Sequence, residues 1–311
     1  MSRLITAILL MSACVTLALA QGPATQASIE QLLTEARAAI GPEARLKAIA
    51  SLSVTGPHRR VLGNAPMESE IEYLAMLPDH FRRNEVRAPF TTVAVVEGDQ
   101  TTYKRVPTET ALGNSLSAMI RESTDPQVQA RRHAAQRNEF SRLMLGWFLT
   151  SPSVNPVEFS DAGETTEAGM AMKMIDAKGQ GNFKIRLYLD QKTHQVRMLT
   201  FRGRKLFEIL TRMRNAPEIS QLSQQDESKL TPEQQQERQA RIERWRKEFQ
   251  EAVAAAPVVE IRWTFGKFKK VDGLNLPHSL SRYEDGTMFE EWEIKQFKIN
   301  PKLTLAAFEN K

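Results

Sequence analysis

Residues 258–309, VVEIRWTFGKFKKVDGLNLPHSLSRYEDGTMFEEWEIKQFKINPKLTLAAFE, decide the fold class of this 311-residue chain. Val259, Ile261, Trp263 and Phe265 alternate with Glu260, Arg262 and Thr264, the period-two pattern of a strand with one buried and one wet face. Asp272-Gly273 and Asp285-Gly286 each supply a pair that tolerates positive φ, which suits the tight turns whose twist matches antiparallel neighbours. Two hairpins follow. Leu274, Leu276 and Leu280 lead to the second turn, and Phe289, Trp292, Ile294, Phe297 and Ile299 lead away from it. The apolar positions change from even to odd after Ile294, which predicts a β-bulge there.

Strand patterns also fill the first half of the chain. Leu52 and Val54 begin one, and Ile71, Tyr73, Ala75 and Leu77 alternate with Glu70 and Glu72 in the next. Pro78-Asp79 turns the chain into a strand over 81–86, and Gly98-Asp99 separates two more at 91–97 and 101–105. Further strands are expected around Val157 and Phe159 and over 170–175, 183–189 and 196–201. Gly179-Gln180-Gly181 leads into a strand where a dinucleotide fold requires a helix, so it is a turn.

Gly266 to Pro277 (GKFKKVDGLNLP), the Asp-Gly hairpin after it, Asn300-Pro301 and Phe308 near the end together resemble the outer-membrane lipoprotein-sorting proteins, the LolA-like group. The strand order of the first half is similar to the same family. The likeness runs from about Ala44 to the end, with gaps. It implies an α+β fold: a curved antiparallel sheet forming a half-open β-barrel, with helices over the concave face. It also implies a lipid or an acylated lipoprotein as partner. Two departures bear on the delivery of lipoproteins specifically. Leu77 precedes Pro78 where the best-characterised lipoprotein chaperones carry Arg, and a helical insertion at 205–257 has no counterpart in the family pattern.

Helical patterns punctuate the strands. Ser28 and Gln31 form a candidate capping box for a helix whose Ile29, Leu32, Leu33, Ala36 and Ile40 share one face, and a second helical piece follows Pro42. Leu112, Leu116, Met119 and Ile120 make one stripe; after Asp125-Pro126, Phe140, Leu143, Met144, Trp147 and Phe148 make a second, placed as a lid on the concave side. In the insertion, Thr231 and Gln234 form another capping box before a stripe of Ile242, Trp245, Phe249 and Val253. That helix, residues 232–255, carries five acidic and five basic side chains and so has no net attraction for anionic lipid.

The first twenty residues carry one charge, Arg3, then an apolar run ending in Ala18-Leu19-Ala20, a secretory signal cut after Ala20. The remainder, 21–311, forms a single domain in the periplasm. Cys14, the only cysteine, stands after Met11-Ser12-Ala13, so anchoring through a lipidated Cys14 is the alternative to cleavage after Ala20. Cleavage after Ala20 leaves no thiol for a disulfide, a nucleophile or a metal. No later stretch could span a bilayer. With 41% hydrophobic and 25% charged residues the composition is that of a globular protein. Without the signal 41 basic residues face 37 acidic ones, scattered rather than in blocks, which argues for a solubilising surface and against nucleic acid.

Nothing in the sequence nominates catalysis, a metal or a cofactor. His58, His80, His133, His194 and His278 are far apart and read as surface or turn residues. Glu70/Glu72 and Glu290-Glu291 are the nearest carboxylate pairs, and the first is the wet side of its strand. What remains is apolar surface. Met170, Met172 and Met174 project from one face, joined by rows at Ile71/Tyr73, Val93/Val95, Phe183/Ile185 and Trp263/Phe265 and by the helix residues Met144 and Trp147. These are the expected lining of an acyl-chain cavity in a non-catalytic carrier, flexible methionines suiting a flexible ligand. The alternative is an envelope assembly module with a filled core, docking a protein partner through 205–257.

Overall fold

The computed structural model describes residues 24–62, 65–88, 90–98, 100–107, 126–153, 155–214, 216, 221, 225 and 229–309. Thirteen described strands form one antiparallel sheet that does not close: β1 (Ser51–Leu62), β2 (Ala65–Met76), β3 (His80–Arg87), β4 (Phe90–Glu97), β5 (Gln100–Pro107), β6 (Val157–Glu167), β7 (Met170–Gly179), β8 (Lys184–Asp190), β9 (Val196–Arg204), β10 (Val258–Val271), β11 (Leu274–Glu284), β12 (Thr287–Glu293) and β13 (Gln296–Ile299). Their order is β5-β4-β3-β2-β1-β12-β11-β10-β9-β8-β7-β6, with β13 continuing beside β1. Two meanders therefore meet where the first strand pairs with the last ones. Asp272-Gly273 and Asp285-Gly286 turn with both residues at positive φ, as their hairpins require.

The slip anticipated after Ile294 is present. His58 pairs with Trp292 and Thr55 with Gln296, so three steps along β1 face four along β12 and β13. Gly56 sits opposite that extra residue, where a Cβ would lie 2.0 Å from the carbonyl oxygen of Glu293. Only a glycine lets the bulged backbone approach so closely.

Helix α1 (Ala24–Ile40) and the short α2 (Glu43–Lys47) precede the sheet, α3 (Pro126–Phe148) follows β5, and α4 (Phe207–Arg214) and α5 (Pro232–Ala255) lie between β9 and β10, which pair with each other. Ser28 does not cap α1, because the helix is already formed at Ala24 and Gln31 bonds to Glu35 instead. The box at Thr231 and Gln234 is made reciprocally. The stripe around Leu112 lies outside the described residues.

One core spans the concave face. Ile29, Leu33, Ala36 and Ile40 of α1 and Phe140, Leu143, Met144, Leu145, Trp147 and Phe148 of α3 pack on the inward residues of both meanders. Phe81 and Phe140 stack at 4.4 Å, and Trp147 meets Tyr73, Phe148, Trp292 and Phe297 at 5.4 to 6.3 Å. Gly146 lets α3 come down onto the ring of Phe265. Under α1 and the C-terminal half of α3, the expected greasy trough is filled by the chain itself.

Candidate functional site

Beside the middle of α3 the interior changes character. A cavity of about 260 Å³ opens between Gln136, Glu139 and Leu143 of α3 and the strands β1 to β5 and β10 to β12. One part of its wall is apolar: Ile71, Tyr73, Leu143, Trp263, Leu280 and Trp292. The rest is polar: five arginines (Arg60, Arg83, Arg87, Arg105 and Arg282) and three glutamates (Glu85, Glu139 and Glu290), with His58, Thr92, Tyr103 and Gln136.

Register builds this wall. Arg60 stands opposite Glu290, Glu290 opposite Arg282, and Arg282 opposite Trp263, one row across β1, β12, β11 and β10. A second row runs Ile71, Glu85, Thr92, Arg105 across β2 to β5. Side chains directly opposite on one face are the closest neighbours a sheet offers, so acid and base alternate within reach.

Arg60 donates to both oxygens of Glu85 (2.9 and 3.2 Å) and through Nε to Glu290 (3.0 Å). Arg83 donates to Glu85 (2.8 Å) and through Nε to the Tyr73 hydroxyl (3.0 Å), which in turn donates to Glu139. Arg282 donates to the other oxygen of Glu290 at 3.2 Å. His58 places Nε2 at 2.7 Å from Glu290 and Nδ1 at 3.0 Å from the Ser69 hydroxyl. Glu290 only accepts, so Nε2 carries the hydrogen.

Burial pushes the Glu85 carboxyl up, but Arg60 and Arg83 outweigh it and hold it at about 2. Glu290 is likewise driven well below the carboxylate range, burial being overcome by Arg60, the His58 hydrogen bond and Arg282. Both stay ionised at neutral pH. Burial raises the Tyr73 hydroxyl well above its ordinary value and Glu139 adds to it, so Tyr73 remains a donor. Behind the wall, Arg142 of α3 lies 3.6 Å over the Phe201 ring, and burial and the nearby Arg282 lower it to about 9.

One expectation from the sequence is overturned. His58 and His278 are buried rather than at the surface, His278 against Phe297 and bonded to the Leu276 carbonyl. Glu290 is an interior group, whereas Glu291 meets Arg59 at half-exposed positions. Ser69, His58 and Glu290 have the residue types of a hydrolytic triad. The ring nevertheless presents Nδ1 to the serine and Nε2 to the acid, the reverse of that template, and Ser69 also reaches Glu85 at 3.4 Å. Among the described residues no group of three or more His, Cys, Asp or Glu is arranged to hold a metal.

The residues expected to line a cavity are divided by the fold. Ile71, Tyr73 and Trp263 border the cavity. Met144, Trp147, Phe183, Ile185 and Phe265 belong to the filled core beside it. Val93 and Val95 pack with Phe308 in a separate cluster, since the inward side of β4 is taken by Thr92, Ala94 and Val96. Met172 and Met174 gather with Tyr188 and Met198 on the sheet face opposite the core, and Met170 is exposed there. Complementary charges two residues apart on neighbouring strands, His58/Arg60, Arg83/Glu85 and Glu290, were the available sign of the ionic wall.

No family model matches the sequence, and no curated protein matches it. Among solved structures the chain is similar to a putative outer membrane lipoprotein-sorting protein domain from Vibrio parahaemolyticus, at 10% identity and TM-score 0.45, covering 90% of this chain and 96% of that one. It is similar to a DUF1329 family protein from Desulfovibrio piger at 7% identity and TM-score 0.43, over 90% and 97%. A LolA superfamily protein from Nitrosomonas europaea matches at 8% identity and TM-score 0.42, again over 90% and 97%.

Proposed function

We propose that this chain is an exported, non-catalytic carrier of the bacterial envelope that takes a lipid or an acylated protein on the concave side of its sheet, in the periplasm. The observation that carries this is the cavity beneath α3, whose wall joins an apolar part to a charged part in one enclosure. An amphiphile has the same division. At about 260 Å³ the cavity holds a head and the start of a chain, and the rest of an acyl chain enters by displacing α3.

The energies permit that exchange. Burying about sixteen methylenes contributes roughly 12 kcal/mol at ~0.8 each. Exposing the apolar side chains of α3, Phe140, Leu143, Met144, Leu145, Trp147 and Phe148, all 3% exposed or less, costs about 9–18 kcal/mol at ~1.5–3 each. The two are of one size, so loading is reversible. Among the described residues no helix is long and apolar enough to cross a membrane. The signal through Ala20 and the single domain over 21–311 belong to the same proposal.

Native mass spectrometry of protein isolated from envelopes without detergent tests it. A co-purifying lipid mass, together with uptake of a fluorescent fatty acid, supports the carrier. A clean apo mass and no uptake would point to the second reading, an assembly module docking a partner through 205–257, which the filled core under α1 favours.

A further inference from the structure

The roof of the cavity already sets a carboxylate on its wall. Gln136, Glu139 and Leu143 of α3 stand three and four residues apart, so they share the helix face that covers the cavity. From that face Glu139 reaches Tyr73 and Arg83, which stand directly opposite each other on β2 and β3. The Tyr73 hydroxyl donates to Glu139 Oε1, and Arg83 Nε lies 3.5 Å from the same oxygen. The two receiving side chains are fixed in the sheet. Tyr73 is buried between the rings of Phe81 and Trp292, and buried Arg83 is held by Glu85. Glu139 is the looser partner, its side chain 26% exposed. Ile71, two residues before Tyr73 on the same face, and Trp292, whose ring centre is 5.0 Å from that of Tyr73, lay apolar surface beside the pair.

We infer that Glu139 occupies the seat of a ligand's head group, and that the ligand is a carboxylate-headed amphiphile of the fatty-acid class, which replaces Glu139 on Tyr73 and Arg83. Exchanging one carboxylate for another keeps both the charge of the wall and its charge-assisted hydrogen bonds, which are the strong ones. An uncharged head offers Arg83 less than Glu139 already gives. The seat holds a planar, singly charged group, so a phosphate dianion is a poorer replacement. Once released, Glu139 turns to solvent, and the first carbons of the chain lie along Ile71 and Trp292. The inference rests on the carrier reading and names the class of its ligand.

Calorimetric titration of the purified protein with octanoate and 1-octanol, joined to deuterium exchange of the peptide spanning 136–143, tests this. Octanoate is expected to bind wild type and to speed amide exchange in that peptide, because it detaches Glu139. The alcohol leaves Glu139 in place and the exchange unchanged. Glu139→Ala removes the competitor and should tighten octanoate binding about tenfold or more, the range of one charge-assisted hydrogen bond, with 1-octanol unaffected. Glu139→Gln, which still accepts from Tyr73 and preserves the packing, should give a smaller gain in the same direction. Equal gains for acid and alcohol in both variants mean only a larger cavity; they overturn the carboxylate seat and leave the carrier standing. Octanoate bound to wild type with exchange unchanged or slowed, or bound only once Glu139 is removed, overturns the displacement. Binding of neither compound to wild type or variants overturns the inference and the carrier together.

Discussion

Replacing Glu85 with Gln removes the carboxylate on which Arg60 and Arg83 converge, in a side chain only 8% exposed. Its folded value of about 2 against an ordinary 4.5 corresponds to roughly 3 kcal/mol of stability at neutral pH. Removing one member of a buried ion pair costs about 3–5 kcal/mol, and the lower end applies because Arg60 keeps Glu290 and Arg83 keeps Tyr73 and Glu139. A carboxyl held below its unfolded value stabilises fully above that value and gives the stabilisation up as pH falls toward the folded one. For Glu85 the window runs from about pH 4.5 down to about 2, and Glu290, shifted in the same direction, adds to the loss. Urea unfolding followed by tryptophan fluorescence at pH 7, 4.5, 3 and 2 measures it. Wild type should lose about 3 kcal/mol more than Glu85→Gln across that window, and the variant should start about 3 kcal/mol less stable at pH 7. Equal stability at pH 7, or parallel losses in acid, would refute the buried ionic wall.

Other outcomes follow from packing. Phe140→Ala empties the place stacked on Phe81 and should cost about 3–5 kcal/mol in the same unfolding assay. Gly56→Ala drives a Cβ into the Glu293 carbonyl and should cost about 3 kcal/mol, with faster amide exchange at Lys295, whose N–H bonds the Thr55 carbonyl across the bulge. Thr231→Ala removes the cap of α5 for about 1 kcal/mol, read as loss of protection confined to the first turn of that helix.

The sheet was legible because its rules are local. Alternation from Val259 to Phe265, the two Asp-Gly turns and the change of parity after Ile294 each correspond to a feature of β10 to β13. The capping box at Thr231 held because its helix begins at Pro232, whereas Ser28 failed because the helix was already running. Faces were harder. In β4 Val93, Ala94, Val95 and Val96 are apolar on both sides, so alternation could not say which pair points inward. Met170, Met172 and Met174 do share a face, but a period of two does not tell the concave face from the other. The ionic wall was hidden for the same reason. In β3 the inward residues Arg83 and Glu85 alternate with Arg82 and Asn84, so hydrophobicity carries no signal there, and the pairing that neutralises them comes from strands far away in sequence.

Where the ligand sits can be read from the four tryptophans. Trp263 and Trp292 line the cavity and Trp147 adjoins it in the core, while Trp245 lies on α5, stacked with Phe249. Titration with dibromostearate, a chain that quenches indoles in contact with it, should dim Trp245→Phe as deeply as wild type, because the chain enters the concave side. Quenching that disappears with Trp245 would put the greasy ligand on the insertion and leave the concave side without a cargo.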